Sequence, residues 1–96
     1  MLELRPTCEH CNKPLPPEST EAMICSFECT FCRSCATGVL SNVCPKCGGN
    51  FAPRPIRPPH KLRDHPASTE TRHRPVDLAA HARLVASLRD IPLERR

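Results

Sequence analysis

The sequence predicts a small metal-stabilised α+β unit, with a short β-hairpin and one short helix, followed by a largely disordered C-terminal tail. Three observations predict it. All eight cysteines fall between residues 8 and 47, as CEHC, CSFECTFCRSC and CPKC. The side chains available for an ordinary core are few, with no Trp, no Tyr and only Phe27, Phe31 and Phe51. The composition then breaks at Ala52, beyond which Pro and Arg dominate.

A head of about 50 residues cannot offset its chain entropy, at about 1.5 kcal/mol per ordered residue, with so thin a core. Something must staple it. The N-terminal MLELRPTCEH lacks the basic start and apolar run of a secretory signal. No stretch approaches the ~18 apolar residues of a membrane span. A cytoplasmic location is therefore expected, where thiols stay reduced and serve as metal ligands rather than disulfides. The charge is divided. Residues 1–51 carry four basic and five acidic side chains, and residues 52–96 carry ten and five, so the head is −1 and the tail +5. Eight thiolates and two zinc ions would take the head to −5.

Residues 1–7 read as an extended lead-in, because Pro6 excludes helix before the first ligand. Asn12, after the Cys8–Cys11 knuckle, tolerates the left-handed backbone such turns need. His10 lies inside the pair, where its reach to a shared ion is poor, and is read as solvated. Pro14, Pro16 and Pro17 make 12–20 a loop. Glu21 to Cys25 enters the site as a short strand, with Met23 and Ile24 as β formers, and Cys29 to Cys32 brings the chain back. Phe27 and Phe31 are expected to form the apolar plug between sites.

A short helix is expected from near Arg33 to Leu40 or Ser41, with Val39, Leu40 and Val43 facing the plug. Gly38 weakens it by about 1 kcal/mol relative to Ala. In the last knuckle, Gly48 and Gly49 permit positive φ and close approach of N–H groups to sulfur. Phe51 closes the head, setting its bounds at 1–51. Residues 52–59 read as extended and polyproline-like. Residues 60–74 are polar, charged and without period, and read as a disordered linker. Over 75–91 an amphipathic helix is expected, with Leu78, Ala82, Val85 and Leu88 on one stripe, Pro75 in its first turn and Pro92 stopping it; 92–96 is a tail. His60, His65, His73 and His81 share no ligand spacing with any cysteine and are read as solvated.

Cys8, Cys11, Cys25, Cys29, Cys32, Cys35, Cys44 and Cys47 make two four-sulfur sites. Soft thiolates in tetrahedral sets favour Zn2+. Each such site supplies about 10–16 kcal/mol of apparent folding free energy. Spacing alone permits sequential, nested or interleaved sharing of the four pairs.

The stretch Cys29-Thr30-Phe31-Cys32-Arg33-Ser34-Cys35 and the final Cys44-Pro45-Lys46-Cys47 resemble a RING finger, a treble-clef zinc module, in which every ligand is cysteine. The resemblance implies a cross-brace. One ion would take Cys8, Cys11, Cys32 and Cys35, and the other Cys25, Cys29, Cys44 and Cys47. Residues 1–59, through LELRPTCE, ICSFECTFC, CPKCGG and RPIRP, also resemble a small cysteine-rich bacterial family known only as a domain of unknown function. That likeness implies a bacterial cytoplasmic protein and no particular activity.

Four-thiolate zinc has no open coordination position, so no catalysis and no small-molecule substrate are expected. The expected role is a zinc-built adaptor that binds another protein, with no membrane contact. The alternative is a nucleic-acid-associated finger using the basic tail, against which stand an acidic head and no aromatic platform. RING-type ubiquitin transfer fits less well, because Glu9 and Gly48 stand where such ligases carry a bulky apolar and a basic residue. Iron–sulfur or redox chemistry at Cys25, Cys29 and Cys32 would leave the outer pairs unexplained.

Overall fold

A computed structural model describes residues 1–96. The head is built on a three-stranded antiparallel sheet in the order β2-β1-β3, with β1 at Ala22–Ile24, β2 at Thr30–Cys32 and β3 at Ala52–Pro53. In the hairpin, Met23 faces Phe31 and Ile24 faces Thr30. The turn between them is cysteine-built. The Cys25 amide donates to the Cys29 carbonyl at 3.2 Å, and the Glu28 amide to the Cys25 carbonyl at 3.0 Å. This forces Glu28 into the left-handed region at φ 66°.

Both outer knuckles repeat one design. The Asn12 amide donates to the Cys8 carbonyl, and the Gly48 amide to the Cys44 carbonyl, each at 2.9 Å. Asn12 and Gly48 have φ of 64° and 76°, as the turn requires. The Cys8 and Cys44 amides then bond the Lys13 and Gly49 carbonyls.

The expected short helix is present as a single π-helical turn, Ser34–Val39. It ends in consecutive left-handed residues, Ser41 and Asn42. Asn42 repays the strain by accepting the Phe51 amide on its side chain at 2.9 Å. Phe31 and Phe51 meet edge to face at 5.3 Å between centroids, and with Leu15, Met23, Ala36 and Leu40 they form the apolar centre among the cysteines. Two plug assignments are corrected. Phe27 is 70% exposed, because the tight 25–29 turn points it outward, and Val39 is 44% exposed at the end of the π turn.

The tail follows a defined path. Residues 60–74, expected to be disordered, begin in helix α1 (Pro59–Leu62) and then run along the lead-in. The Ser68 amide donates to the Leu4 carbonyl, and the Arg74 amide to the Glu9 carbonyl at 2.7 Å. Backbone hydrogen bonding to the head thus helps to order a segment with few apolar side chains, of which Leu62 and Ala67 are only partly buried. The amphipathic helix forms as α2, Leu78–Leu88. Asp77 rather than Pro75 begins it, its side chain accepting the Ala80 amide at 3.1 Å. A 3₁₀ turn, Leu93–Arg95, follows Pro92.

The buried stripe of α2 is rotated from the expected one. His81 is buried at its centre and its Nε2 donates to the Val43 carbonyl at 2.8 Å, correcting the reading of it as solvated. Leu84 and Leu88 flank it, while Leu78 is half exposed and Ala82 exposed. No helix is long and apolar enough to cross a membrane.

Candidate metal centre

The sulfurs gather in two clusters, and the pairs alternate between them along the chain. Cys8, Cys11, Cys32 and Cys35 bring their Sγ atoms within 4.8 Å of one another, and so do Cys25, Cys44 and Cys47. In the first cluster the β2 strand ends at Cys32 and the π turn carries Cys35, so sheet and helix together aim two thiols at the N-terminal knuckle. In the second, the hairpin turn faces the Cys44–Cys47 knuckle. Only cysteines make up the clusters; no histidine joins either.

Cys29 lies beside the second cluster, its thiol against those of Cys44 and Cys25. A hydrogen bond from Cys44 is the main reason its pKa falls to about 6, with Cys25 assisting against burial. The same contact with Cys29, together with burial, drives Cys44 well up. Burial, followed by its neighbours Cys32, Cys8 and Cys11, pushes Cys35 up too. Burial raises Cys25. Ionisation is thus favoured at Cys29 and disfavoured at Cys25, Cys35 and Cys44, and a cation is what would let a full set of four thiolates form together.

The spacing fits one. A tetrahedral ion with metal–sulfur bonds of about 2.3 Å sets its sulfurs about 3.8 Å apart. Cys11 Sγ and Cys32 Sγ stand 3.8 Å apart, and all eight cysteines are free of disulfides. Amides also reach two sulfurs of the second cluster. Phe27 N–H points at Cys25 Sγ at 3.3 Å and Gly49 N–H at Cys47 Sγ at 3.4 Å. Each cluster keeps one exposed thiol, Cys11 in the first and Cys47 in the second.

A polar support with no local signature along the chain ties the two knuckles together. Glu9 is 2% exposed. Its carboxylate accepts the Thr30 amide at 2.6 Å, Arg5 Nη1 at 2.7 Å and Lys46 Nζ at 3.1 Å. Burial alone would raise its pKa, but the Thr30 amide, Arg5 and Lys46 together hold it below the usual carboxylate range. Glu9 thus ties the first knuckle to β2 and to the last knuckle. Arg54, 4% exposed, plays the same part elsewhere. Its guanidinium donates to the carbonyls of Arg5 (2.9 Å), Leu15 (3.3 Å) and Pro16 (2.9 Å). Arg57 donates to the Leu2 and His65 carbonyls. The arginines of RPIRP are therefore internal staples rather than solvated charge.

His10 is not a ligand. Its Nδ1 accepts the Val76 amide at 2.9 Å, which corrects the reading of it as solvated; its carbonyl accepts from Nε2 of His73 at 3.2 Å, and His73 is exposed, as expected.

Among known proteins, an uncharacterised protein of Rhizobium meliloti (strain 1021) is similar to this chain, 56% identical over 69 residues, which is 72% of this chain and 82% of that protein. No solved structure matches. A family model described as "Protein of unknown function (DUF1272)" matches residues 1–57. Both clusters, Glu9 and Arg54 lie inside that stretch, and the chain belongs to this family.

Proposed function

We propose that the chain is a non-catalytic, zinc-built adaptor whose head is a RING-like cross-brace. Two Zn2+ ions would be held, one by Cys8, Cys11, Cys32 and Cys35, the other by Cys25, Cys29, Cys44 and Cys47. The observation that carries the reading is the alternation of cysteine pairs between two clusters. Cys29 completes the second set by its contacts with Cys25 and Cys44. Zinc is preferred because the donor sets are all sulfur and closed. Closed sites supply folding free energy and leave no position for water or substrate. What such a head then offers is a rigid surface, and a protein partner is the reading that needs nothing further from it.

Elemental analysis of the purified full chain is the first test. Two zinc ions per chain are expected. One ion, or iron with a visible absorbance band, overturns the pairing. The partner class is tested by salt titration. Binding of residues 1–51 to DNA or RNA that weakens steeply with salt would replace the adaptor reading with nucleic-acid recognition.

A further inference from the structure

The head and the tail form the walls of a half-open cleft of about 420 Å3. Its apolar wall comes from both sides: Phe31 and Pro45 from the head, Val76 and Leu84 from the tail. Lys46 and Arg74 stand in its lining and also border an adjoining polar recess of about 200 Å3, so they mark the mouth between the two. The size falls in the range of small-ligand sites, about 300–1,000 Å3, and an apolar chamber with a few convergent polar groups is their usual make-up.

Charge selects the ligand. The acids of the chamber are already engaged. Glu9 accepts from Thr30, Arg5 and Lys46, and Asp77 caps α2. In the recess, Arg72 faces Glu3 and Glu70, and His73 meets the His10 carbonyl. Arg74 is held in place through its backbone amide on the Glu9 carbonyl, yet its guanidinium has neither an ion-pair partner nor a hydrogen bond. One unpaired guanidinium beside one apolar chamber matches one negative charge on one apolar body.

We infer that this cleft is a binding site for an apolar group carrying a carboxylate, with the apolar group against Phe31 and Leu84 and the carboxylate on Arg74, assisted by Lys46. A free carboxylic acid and the C-terminal residue of a partner protein both present that chemistry. The inference uses the folded head described above and is independent of the adaptor role. Val76, Arg74 and Leu84 lie beyond residue 57, so the site belongs to this whole chain and not to the family core. A ligand there bridges head and tail and holds α2 down.

The test uses the full metal-loaded chain and follows Phe31, Val76 and Leu84 by NMR during titration. The probes are N-acetyl-phenylalanine, its neutral amide, and an N-acetylated pentapeptide ending in Phe with a free carboxylate. The acid is expected to bind with Kd of about 0.5 mM, the value for about fifteen heavy atoms at ordinary ligand efficiency. Arg74→Gln should weaken the acid about two- to fivefold and leave the amide unchanged, the range of an exposed charge pair. Ala80→Phe, filling the chamber, should abolish binding of all three. Metal content is measured on each variant, so a damaged head is recognised separately. Pentapeptide binding as tight as that of the acid assigns the site to a partner's C-terminus; binding of the acid alone assigns it to a free ligand. No saturable shifts, equal affinity of the wild type for acid and amide, or an Arg74→Gln variant that binds the acid as tightly as the wild type does, overturns the inference.

Discussion

Glu9→Ala is the substitution that weighs most on this fold without touching a sulfur. The carboxylate is buried and accepts three hydrogen bonds. Its removal leaves the amide of fully buried Thr30 without a partner, at about 1–3 kcal/mol. Arg5, whose side chain is 11% exposed, loses a charged hydrogen bond worth about 1.5–3 kcal/mol. Lys46 is 49% exposed, so its share is screened to about 0–1 kcal/mol. These losses overlap, and breaking a buried pair as a whole costs about 3–5 kcal/mol. Urea unfolding at fixed free zinc measures it. With a slope near 1 kcal/mol/M for so small a protein, the midpoint should fall by about 3 M or more. Glu9→Gln keeps an acceptor for Thr30 and should lose only about 1–2 kcal/mol. The pH dependence has a definite sign. The folded pKa of Glu9 is depressed, so its contribution is complete above the ordinary carboxylate value of 4.5 and is lost as pH falls through the lower folded value. Thiolates also take up protons in acid, so the informative quantity is wild type minus Glu9→Gln. A Glu9→Ala protein within about 1 kcal/mol of wild type would refute the reasoning.

Further outcomes follow from the same contacts. Cys29→Ser or Cys44→Ser should unfold the head, seen as lost NMR dispersion and reduced zinc by elemental analysis; a folded, fully loaded variant contradicts their role as ligands. Removal of metal by a chelator under reducing conditions should abolish the cooperative unfolding transition altogether. Deleting residues 60–96 should leave two zinc ions per chain, since all eight thiols precede that cut. Arg54→Lys should lose about 2–4 kcal/mol in the urea assay, because an ammonium lacks the fork that reaches three carbonyls. Gly48→Ala should cost about 1–2 kcal/mol, as φ is 76° and a Cβ would meet Leu88 at 3.3 Å.

What could be read from the residues alone was whatever rests on local geometry. The C-x-x-C knuckles, the left-handed Asn12, the hairpin around Met23 and Phe31, and a helix between Arg33 and Leu40 all depend on neighbours in sequence. Whether the four pairs alternate depends on which knuckles meet in space, and intervals do not contain that. The polar residues were misplaced for a related reason. Glu9, Arg54 and His81 look solvent-bound in composition, yet each is buried because its partners come from distant segments. Phe27 failed in the opposite sense, an apolar side chain expelled by a turn that the cysteines dictate. The tail shows the same limit. Low apolar content removes one route to order, but the hydrogen bonds from Ser68, Arg74 and Val76 to the head are made by backbone that composition does not describe.

Because Cys8 and Cys11 join Cys32 and Cys35, the first cluster bridges the loop from Pro16 to Thr20, which is exposed at Pro16, Glu18 and Thr20. A protease that nicks this loop would therefore not release the N-terminal fragment. The two pieces should travel together on a native column while any bound ion remains, and part only when it is withdrawn. The nicked chain should keep its shape for as long as an ion holds the first cluster together.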